Sequence, residues 1–62
     1  MKIVRWTEPD EDGNPIQISC LIEEAIRQQK EVALKVGYQY HSDEQALEDF
    51  IANNWAFTEE VQ

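Results

Sequence analysis

Carboxylates are the most abundant side chains in this sequence that could take part in chemistry. Thirteen Asp and Glu residues stand against five Lys and Arg residues, for a formal net charge of −8. A carboxyl group acts as a general acid at neutral pH only where burial raises its pKa, and a chain of 62 residues has little room for such a pocket. The acidic residues therefore predict binding to cations or basic protein surfaces, and they do not predict catalysis.

The densest acidic segment invites comparison with a calcium-binding loop. The spacing Glu8-x-Asp10-x-Asp12 before a glycine resembles the opening of an EF-hand loop, in which alternate oxygens surround the ion. However, the first position is Glu instead of Asp, and Ser19 stands where the loop should supply a bidentate Glu. The flanking residues also alternate like strands, whereas EF-hand loops join helices. We therefore interpret this segment as a charged, solvated turn and predict no metal site.

Cys20 and His41 are the only residues of their types and form the one candidate pair of nucleophile and base. Nucleophilic catalysis needs an activated thiolate, a neighbouring base and a group that orients the base. Cys20 ends a stretch in which Ile16 and Ile18 alternate with polar residues, which is typical of a small side chain packed in a core. The pair also falls short of the four ligands of a zinc site. The sequence thus predicts no catalytic residue and no cofactor.

Charge and composition also limit the partners and the compartment. A net charge of −8 leaves no basic patch to release counterions from nucleic acid, and it opposes binding to anionic membranes. The segment Met1–Trp6 reaches charged and aromatic residues too early for a signal peptide, and no apolar run approaches membrane-spanning length. A lone Cys20 cannot form an internal disulfide, so we expect a cytoplasmic, intracellular location.

Two strands are predicted in the N-terminal third of the chain. Within residues 2–7, Val4 and Trp6 share one face, and within residues 16–20 three apolar side chains share one face. The connection between them contains two prolines, one glycine and several Asp or Asn residues, which favour turns. These segments therefore predict an antiparallel hairpin with an acidic tip.

A first helix is predicted over residues 21–36, where the apolar period changes from two to about 3.6 residues. Glu23 and Arg27 have the favourable acid-first i,i+4 order. Gly37 stands where a left-handed C-terminal cap is expected, and Tyr38 can close over the last turn. The predicted apolar stripe consists of Leu21, Ile22, Ala25, Ile26, Val32, Ala33 and Val36.

A second helix is predicted over residues 43–57. Ser42, followed three residues later by Gln45, matches a capping box. The tail after residue 57 is predicted to fray, and residues 38–41 form either a plain connection or a third strand. The apolar side of this helix is predicted to carry Ala46, Leu47, Phe50, Ile51, Trp55 and Phe57.

The simplest assembly is a single α+β domain spanning residues 1–62, in which an antiparallel β-hairpin packs on a two-helix hairpin (ββαα). A two-stranded hairpin is marginal in water by itself, so it must pack against the helices. Its outer edges would stay unpaired, and a second chain could add a strand at either edge.

Two amides interrupt the apolar stripes of the helices, Gln29 in the first and Asn54 in the second. A buried amide without a hydrogen-bond partner costs about 1–3 kcal/mol. Three arrangements would satisfy these groups: bonds to each other or to backbone across the helix pair, water at the open end of the helical hairpin, or contact with another subunit. The helical pattern is compatible with all three.

Large apolar side chains in excess of what a small core needs are candidates for a partner contact. Leu34 lies on the charged side of the first helix, and Trp and Tyr are enriched at interface hot spots. Trp55, near the end of the second helix, is predicted to be partly exposed. The apolar candidates are Trp6, Leu34, Trp55 and Phe57.

These patterns favour a small non-enzymatic protein whose acidic surface binds a basic protein. In its sharpest form it is a nucleic-acid mimic, because carboxylates three or four residues apart on a helix lie about 5–6 Å apart and present spaced negative charge to a phosphate-binding groove. Small inhibitors of nucleases and of bacterial defence complexes, many of them phage-encoded, share this size and charge, without a shared motif. The acidic candidates are Glu44, Glu48, Asp49, Glu59, Glu60, Asp10, Glu11 and Asp12.

The alternative is a structural or regulatory homodimer. It would pair through a hairpin edge or through the aromatic residues of the second helix, and it needs no basic partner. In that case the acidic surface serves only to keep a small protein soluble.

Overall fold

The computed structural model describes all 62 residues, as a three-stranded antiparallel sheet and two helices. The strand order is β2-β1-β3, so the first strand is central. The predicted α+β class is confirmed, and a third strand is added to it by the C-terminal segment. The elements are β1 (Lys2–Pro9), β2 (Pro15–Leu21), α1 (Ile22–Lys35), α2 (Asp43–Asn54) and β3 (Phe57–Glu60).

The turn between β1 and β2 is organised by Asp10. Its carboxylate accepts hydrogen bonds from the backbone amides of Asp12 at 2.9 Å and Asn14 at 2.8 Å. Gly13 has a φ of 84°, a left-handed conformation that glycine adopts without steric cost. The turn therefore carries the exposed side chains of Glu11 and Asp12 at the tip of the hairpin.

The core lies between one face of the sheet and the two helices. Strand alternation places Val4 and Trp6 on the same face of β1, where they pack with Ala25 of α1 and Phe50 of α2. The Trp6 and Phe50 rings meet edge to face, with their centroids 5.3 Å apart, a favourable geometry for aromatic pairs. The opposite face of the sheet has no helix over it.

The first helix is buried over only part of its predicted stripe. Ala25 and Ala33 are buried, but the side chains of Val32 and Val36 are 57% and 81% exposed. Val32 and Val36 belong to the predicted apolar stripe but not to the core, because the cluster that joins the helices to the sheet contains no α1 residue beyond Ala25. The second half of α1 instead runs beside α2 and the connection between the helices.

The end of α1 confirms the predicted glycine cap. The amide of Tyr38 donates to the carbonyl of Ala33 at 2.9 Å, and the amide of Gly37 donates to Leu34 at 3.1 Å. With Gly37 at a φ of 79°, these two bonds form a Schellman motif. Residues 38–41 form a connection and no strand.

Ion pairing on α1 differs from the prediction in one respect. Arg27 pairs with Glu24, three residues earlier, and not with Glu23. Both separations bring side chains together on one helix face, so the guanidinium can choose between two neighbouring carboxylates.

The second helix begins as predicted and ends early. The Ser42 hydroxyl accepts from the amide of Gln45 at 3.2 Å. At the other end, Trp55 adopts a left-handed conformation (φ 54°, ψ 40°), and the chain turns back to form β3. A helix to residue 57 and a frayed tail are therefore both wrong predictions. The free backbone groups along β1 explain the difference, because they pair with β3 at four positions.

Replacing Trp55 by glycine should raise the free energy of unfolding by about 1 kcal/mol. A bulky residue in the left-handed region costs about 1–2 kcal/mol, and a side chain that is 92% exposed contributes little packing in return. Urea denaturation followed by circular dichroism measures the change. Trp55→Ala is the control, since it keeps a Cβ atom and should gain little. Equal midpoints for the two variants would contradict this account.

Candidate functional site

Most basic side chains of the protein are neutralised within the molecule. Three of the five Lys and Arg residues form ion pairs, and so does the N-terminal amine. Nine of the thirteen acidic side chains consequently have no cationic partner. The pairs are Arg5 with Glu59, Arg27 with Glu24, Lys30 with Asp43, and the Met1 amine with Glu60.

Seven of the nine unpaired carboxylates lie in two segments. One is the tip of the hairpin, and the other is α2, which contains no basic residue at all. The remaining two, Glu23 and Glu31, lie on α1 among three basic residues. We call the two groups the tip cluster, formed by Glu8, Asp10, Glu11 and Asp12, and the α2 cluster, formed by Glu44, Glu48 and Asp49.

Within the α2 cluster, Glu44 and Glu48 are separated by one helical turn and are both exposed. Side chains at this spacing have Cβ atoms about 5–6 Å apart. Asp49 lies at the side of α2 that faces the helix connection, where its carboxylate accepts a hydrogen bond of 2.6 Å from the Tyr40 hydroxyl. Glu44 and Glu48 are therefore the members of this cluster that remain free for a partner.

The two interrupting amides do not bond to each other. The Gln29 side chain donates to the Tyr40 hydroxyl at 2.9 Å. The Asn54 side chain donates to the backbone carbonyl of Phe50, one turn earlier in the same helix, at 2.9 Å. Gln29 thus links α1 through Tyr40 to Asp49 of α2, and sequence reasoning missed Tyr40 as the bridging residue.

This bridge raises the pKa of the Tyr40 hydroxyl. The hydrogen bond to Asp49 raises the pKa of Tyr40 above its ordinary value, desolvation adds to the increase, and the hydrogen bond from Gln29 opposes it. Deprotonation would place a phenolate beside a carboxylate. The folded state therefore favours the protonated hydroxyl.

The free energy of unfolding should accordingly fall at high pH. The contribution of this bridge is complete below the ordinary tyrosine pKa of about 10 and is lost as the pH rises through the higher pKa of folded Tyr40. Absorbance titration of tyrosinate in a Tyr38→Phe background measures Tyr40 alone. Asp49→Asn in the same background should move the titration to lower pH. Superimposable curves would show that Asp49 does not control Tyr40.

The predicted contact residue Trp6 lies in the core, so its prediction as an interface residue is wrong. It is only 8% exposed, and its indole N–H donates to the Glu8 carboxylate at 3.0 Å. The physical reason is its register, since Trp6 shares the face of β1 that the helices cover. The structure confirms the predicted exposure of Trp55, at 92%, and leaves Leu34 64% exposed. Phe57 is half-exposed and lies on β3, outside the helix.

Glu59 and Glu60 do not belong to a helical row of acidic residues. Both lie on β3, where Glu60 pairs with the N-terminal amine at 2.9 Å. The Nε atom of Arg5 lies 2.9 Å from the Glu59 carboxylate, in a geometry that makes an ion pair but no hydrogen bond. These two carboxylates help to attach β3 to β1, and they are less available to a partner than those of the two clusters.

The surroundings of the Cys20 thiol do not favour nucleophilic chemistry. Burial raises the pKa of the Cys20 thiol, and the neighbouring charge of Glu24 raises it further, so the thiolate is disfavoured. No group of three or more His, Cys, Asp and Glu side chains is arranged to hold a metal ion. None of the helices combines the length and apolar character needed to span a membrane.

Comparison with known proteins identified no matching protein family, curated protein or solved structure.

Proposed function

We propose that this protein is a non-enzymatic binding module whose acidic surface engages a basic surface of another protein, in the manner of a nucleic-acid mimic. The observation that carries the proposal is the placement of the unpaired carboxylates. Seven of the nine lie in the tip and α2 clusters, and the basic residues do not intersperse with them. Concentrated negative potential of this kind attracts a basic partner and accelerates its encounter.

The contrast between the two helices supports a role for the charge beyond solubility. On α1, acidic and basic side chains alternate, and Arg27 and Lys30 are both in ion pairs. The helix α2 contains no basic residue, and of its four acidic side chains only Asp43 is paired, with Lys30 of α1. Solubility alone is served by mixed charges, whereas uncompensated charge on one element destabilises the folded chain by self-repulsion.

The exposed ring of Trp55 supplies the apolar part of the proposed contact. It follows the last residue of α2, the helix that presents Glu44 and Glu48, and it is 92% exposed. An exposed tryptophan can anchor an interface by burying a large area, and it can stack on an arginine of a basic partner. We place the contact on α2 and Trp55. We also propose an intracellular location, because nucleic-acid-binding proteins are found there and because a lone Cys20 forms no internal disulfide.

A pair of charge-reversal variants tests the proposal. Glu44→Lys/Glu48→Lys changes the proposed surface, and Glu23→Lys/Glu31→Lys makes the same change in net charge at exposed positions on α1. Each tagged protein is incubated with a cell lysate at low and then moderate salt, with and without duplex DNA, and the captured proteins are identified by mass spectrometry. Circular dichroism verifies that the variants are folded.

We expect the wild type and the α1 variant to capture a basic, nucleic-acid-handling protein that salt and duplex DNA displace. The α2 variant should lose that protein. Equal loss from both variants would show that only net charge matters and would refute the α2 surface as the site. Capture of nothing except the bait would refute the proposal for the proteome tested.

A further inference from the structure

The two outer edges of the sheet differ in their protection against pairing with another strand. The β3 edge is four residues long and carries Glu59 and Glu60, and short charged edges resist the addition of a strand. The β2 edge extends over seven residues, Pro15–Leu21, and none of them is charged. Although the chain has thirteen acidic residues, none of them lies on this edge to oppose the addition of a strand.

Backbone register identifies the groups that β2 presents outward. The amide of Asp10 donates to the carbonyl of Asn14 at 2.8 Å, which marks a hydrogen-bonded pair. Such pairs recur at every second residue of an antiparallel ladder. Following the register, the even-numbered residues of β2 bond to β1, and Gln17 and Ser19 direct their N–H and C=O groups away from the sheet.

We infer that two copies of this chain associate through their β2 edges to form one antiparallel six-stranded sheet. In this sheet Ile18 lies opposite Ile18 of the second copy, across the two-fold axis. This inference stands independently of the proposed function. A two-fold axis perpendicular to a sheet pairs a strand with its own copy in antiparallel orientation, so the single edge is self-complementary.

The proposed register accounts for every free backbone group along β2. Gln17 exchanges both hydrogen bonds with Ser19 of the second copy, and Pro15 lies opposite Leu21 of that copy. Pro15 has no N–H to donate. The Leu21 carbonyl does not need one, because Leu21 is the N-cap of α1 and an N-cap carbonyl accepts the first helical hydrogen bond. Pro15, which has no N–H, therefore lies opposite a Leu21 carbonyl that already accepts a hydrogen bond within its own chain.

Side-chain burial and charge agree with this pairing. Ile16 is 45% exposed although it lies on the helix-covered face, and the register places it opposite Cys20 of the second copy. Antiparallel pairing also keeps the acidic tips apart. Asn14 is four residues from Ile18, or about 14 Å, which separates the two tips by about 27 Å or more. That distance exceeds the Debye length of about 8 Å at physiological salt.

Sedimentation equilibrium at protein concentrations up to about 1 mM provides the first test, because a one-strand interface belongs to the small class of contacts. Gln17→Pro removes a central outward N–H that the single chain does not use. It also removes one exposed side-chain hydrogen bond from Arg5, at 3.1 Å, which is a small loss that the monomer should tolerate. Thr58→Pro is the matched control, since the β1–β3 register directs the Thr58 N–H outward at the other edge. We expect the wild type and Thr58→Pro to dimerise and Gln17→Pro to bind at least about tenfold more weakly.

Disulfide cross-linking provides a second test that does not depend on the proline variant folding. Ile16→Cys would face the native Cys20 of the second copy, in a non-hydrogen-bonded pair with Cα atoms about 4.5 Å apart, which suits a disulfide. Positions 16 and 20 of one chain are about 14 Å apart, so they cannot bond to each other. Gln17→Cys, on the opposite face, is the control.

We expect mild oxidation to produce a covalent dimer from Ile16→Cys and none from the wild type or from Gln17→Cys. Cross-linking of Gln17→Cys at the same rate would overturn the register. A wild type that stays monomeric throughout the concentration range, or a folded Gln17→Pro variant that dimerises as strongly as the wild type, would overturn the inference itself.

Discussion

Replacing Phe50 by alanine is expected to leave most of the protein unfolded at 25 °C. Phe50 is 5% exposed and packs edge to face on Trp6, so it connects α2 to the central strand. Truncating a buried phenylalanine costs about 3–5 kcal/mol. A domain of this size, which has no disulfide, has a total stability of roughly 3–5 kcal/mol. The loss therefore equals nearly the whole free energy of unfolding.

Urea denaturation followed by far-ultraviolet circular dichroism measures this effect. Phe57→Ala is the control, because it removes the same ring from a side chain that is 51% exposed. We expect the control to retain a cooperative transition, with a loss of less than about 1 kcal/mol. A Phe50→Ala variant that unfolds at the wild-type midpoint would show that the core is not organised around this ring.

Replacing Glu59 by proline should destabilise the protein by about 2–3 kcal/mol, because it removes an inward-facing N–H from β3 and leaves the carbonyl of Ile3 without a partner. It also removes the ion pair with Arg5. The assignment of inward and outward groups follows from the hydrogen bond of 2.8 Å between the Val61 amide and the Met1 carbonyl. Thermal unfolding followed by circular dichroism measures the change.

Thr58→Pro separates the effect of the ladder from that of proline in general. Thr58 lies next to Glu59 but directs its N–H away from β1, and proline is tolerated at such edge positions. We expect this variant to unfold within about 0.5 kcal/mol of the wild type. If both prolines have the same effect, the β3 ladder does not hold the chain as described. A small effect of both would show that β3 contributes little to stability.

The narrow stability margin bears on both proposals. The buried hydrophobic core consists of only six residues, and four of them form the cluster between the sheet and the helices. A partner that binds only the folded state stabilises it by mass action. A basic protein on α2 or a second copy on β2 would thus raise the melting temperature in a concentration-dependent way. The two sites lie on different elements, so the variants described above report on each separately.

Local signals in the sequence were sufficient where the determining atoms lie within a few residues of each other. Gly37 predicted the left-handed cap at the end of α1, and Ser42 with Gln45 predicted the start of α2. Alternation of apolar residues predicted both strands of the first hairpin, and its turn residues predicted the acidic tip. At the two helix ends and in the turn, the hydrogen bonds that decide the conformation connect near neighbours in the chain. Along the strands, the signal is local because successive side chains point to opposite faces.

Tertiary structure decided the features that depend on distant backbone. Phe57 fits the apolar side of a continued helix, yet residues 57–60 form a strand because their backbone groups pair with the free edge of β1. The helical period likewise placed Val32 and Val36 on the apolar stripe of α1, yet both side chains are exposed in the folded chain. Trp6 was predicted as an interface residue, whereas its packing against Phe50 places it in the core. A sequence determines which faces are apolar through local periodicity, whereas only the packed chain determines which of those faces are covered.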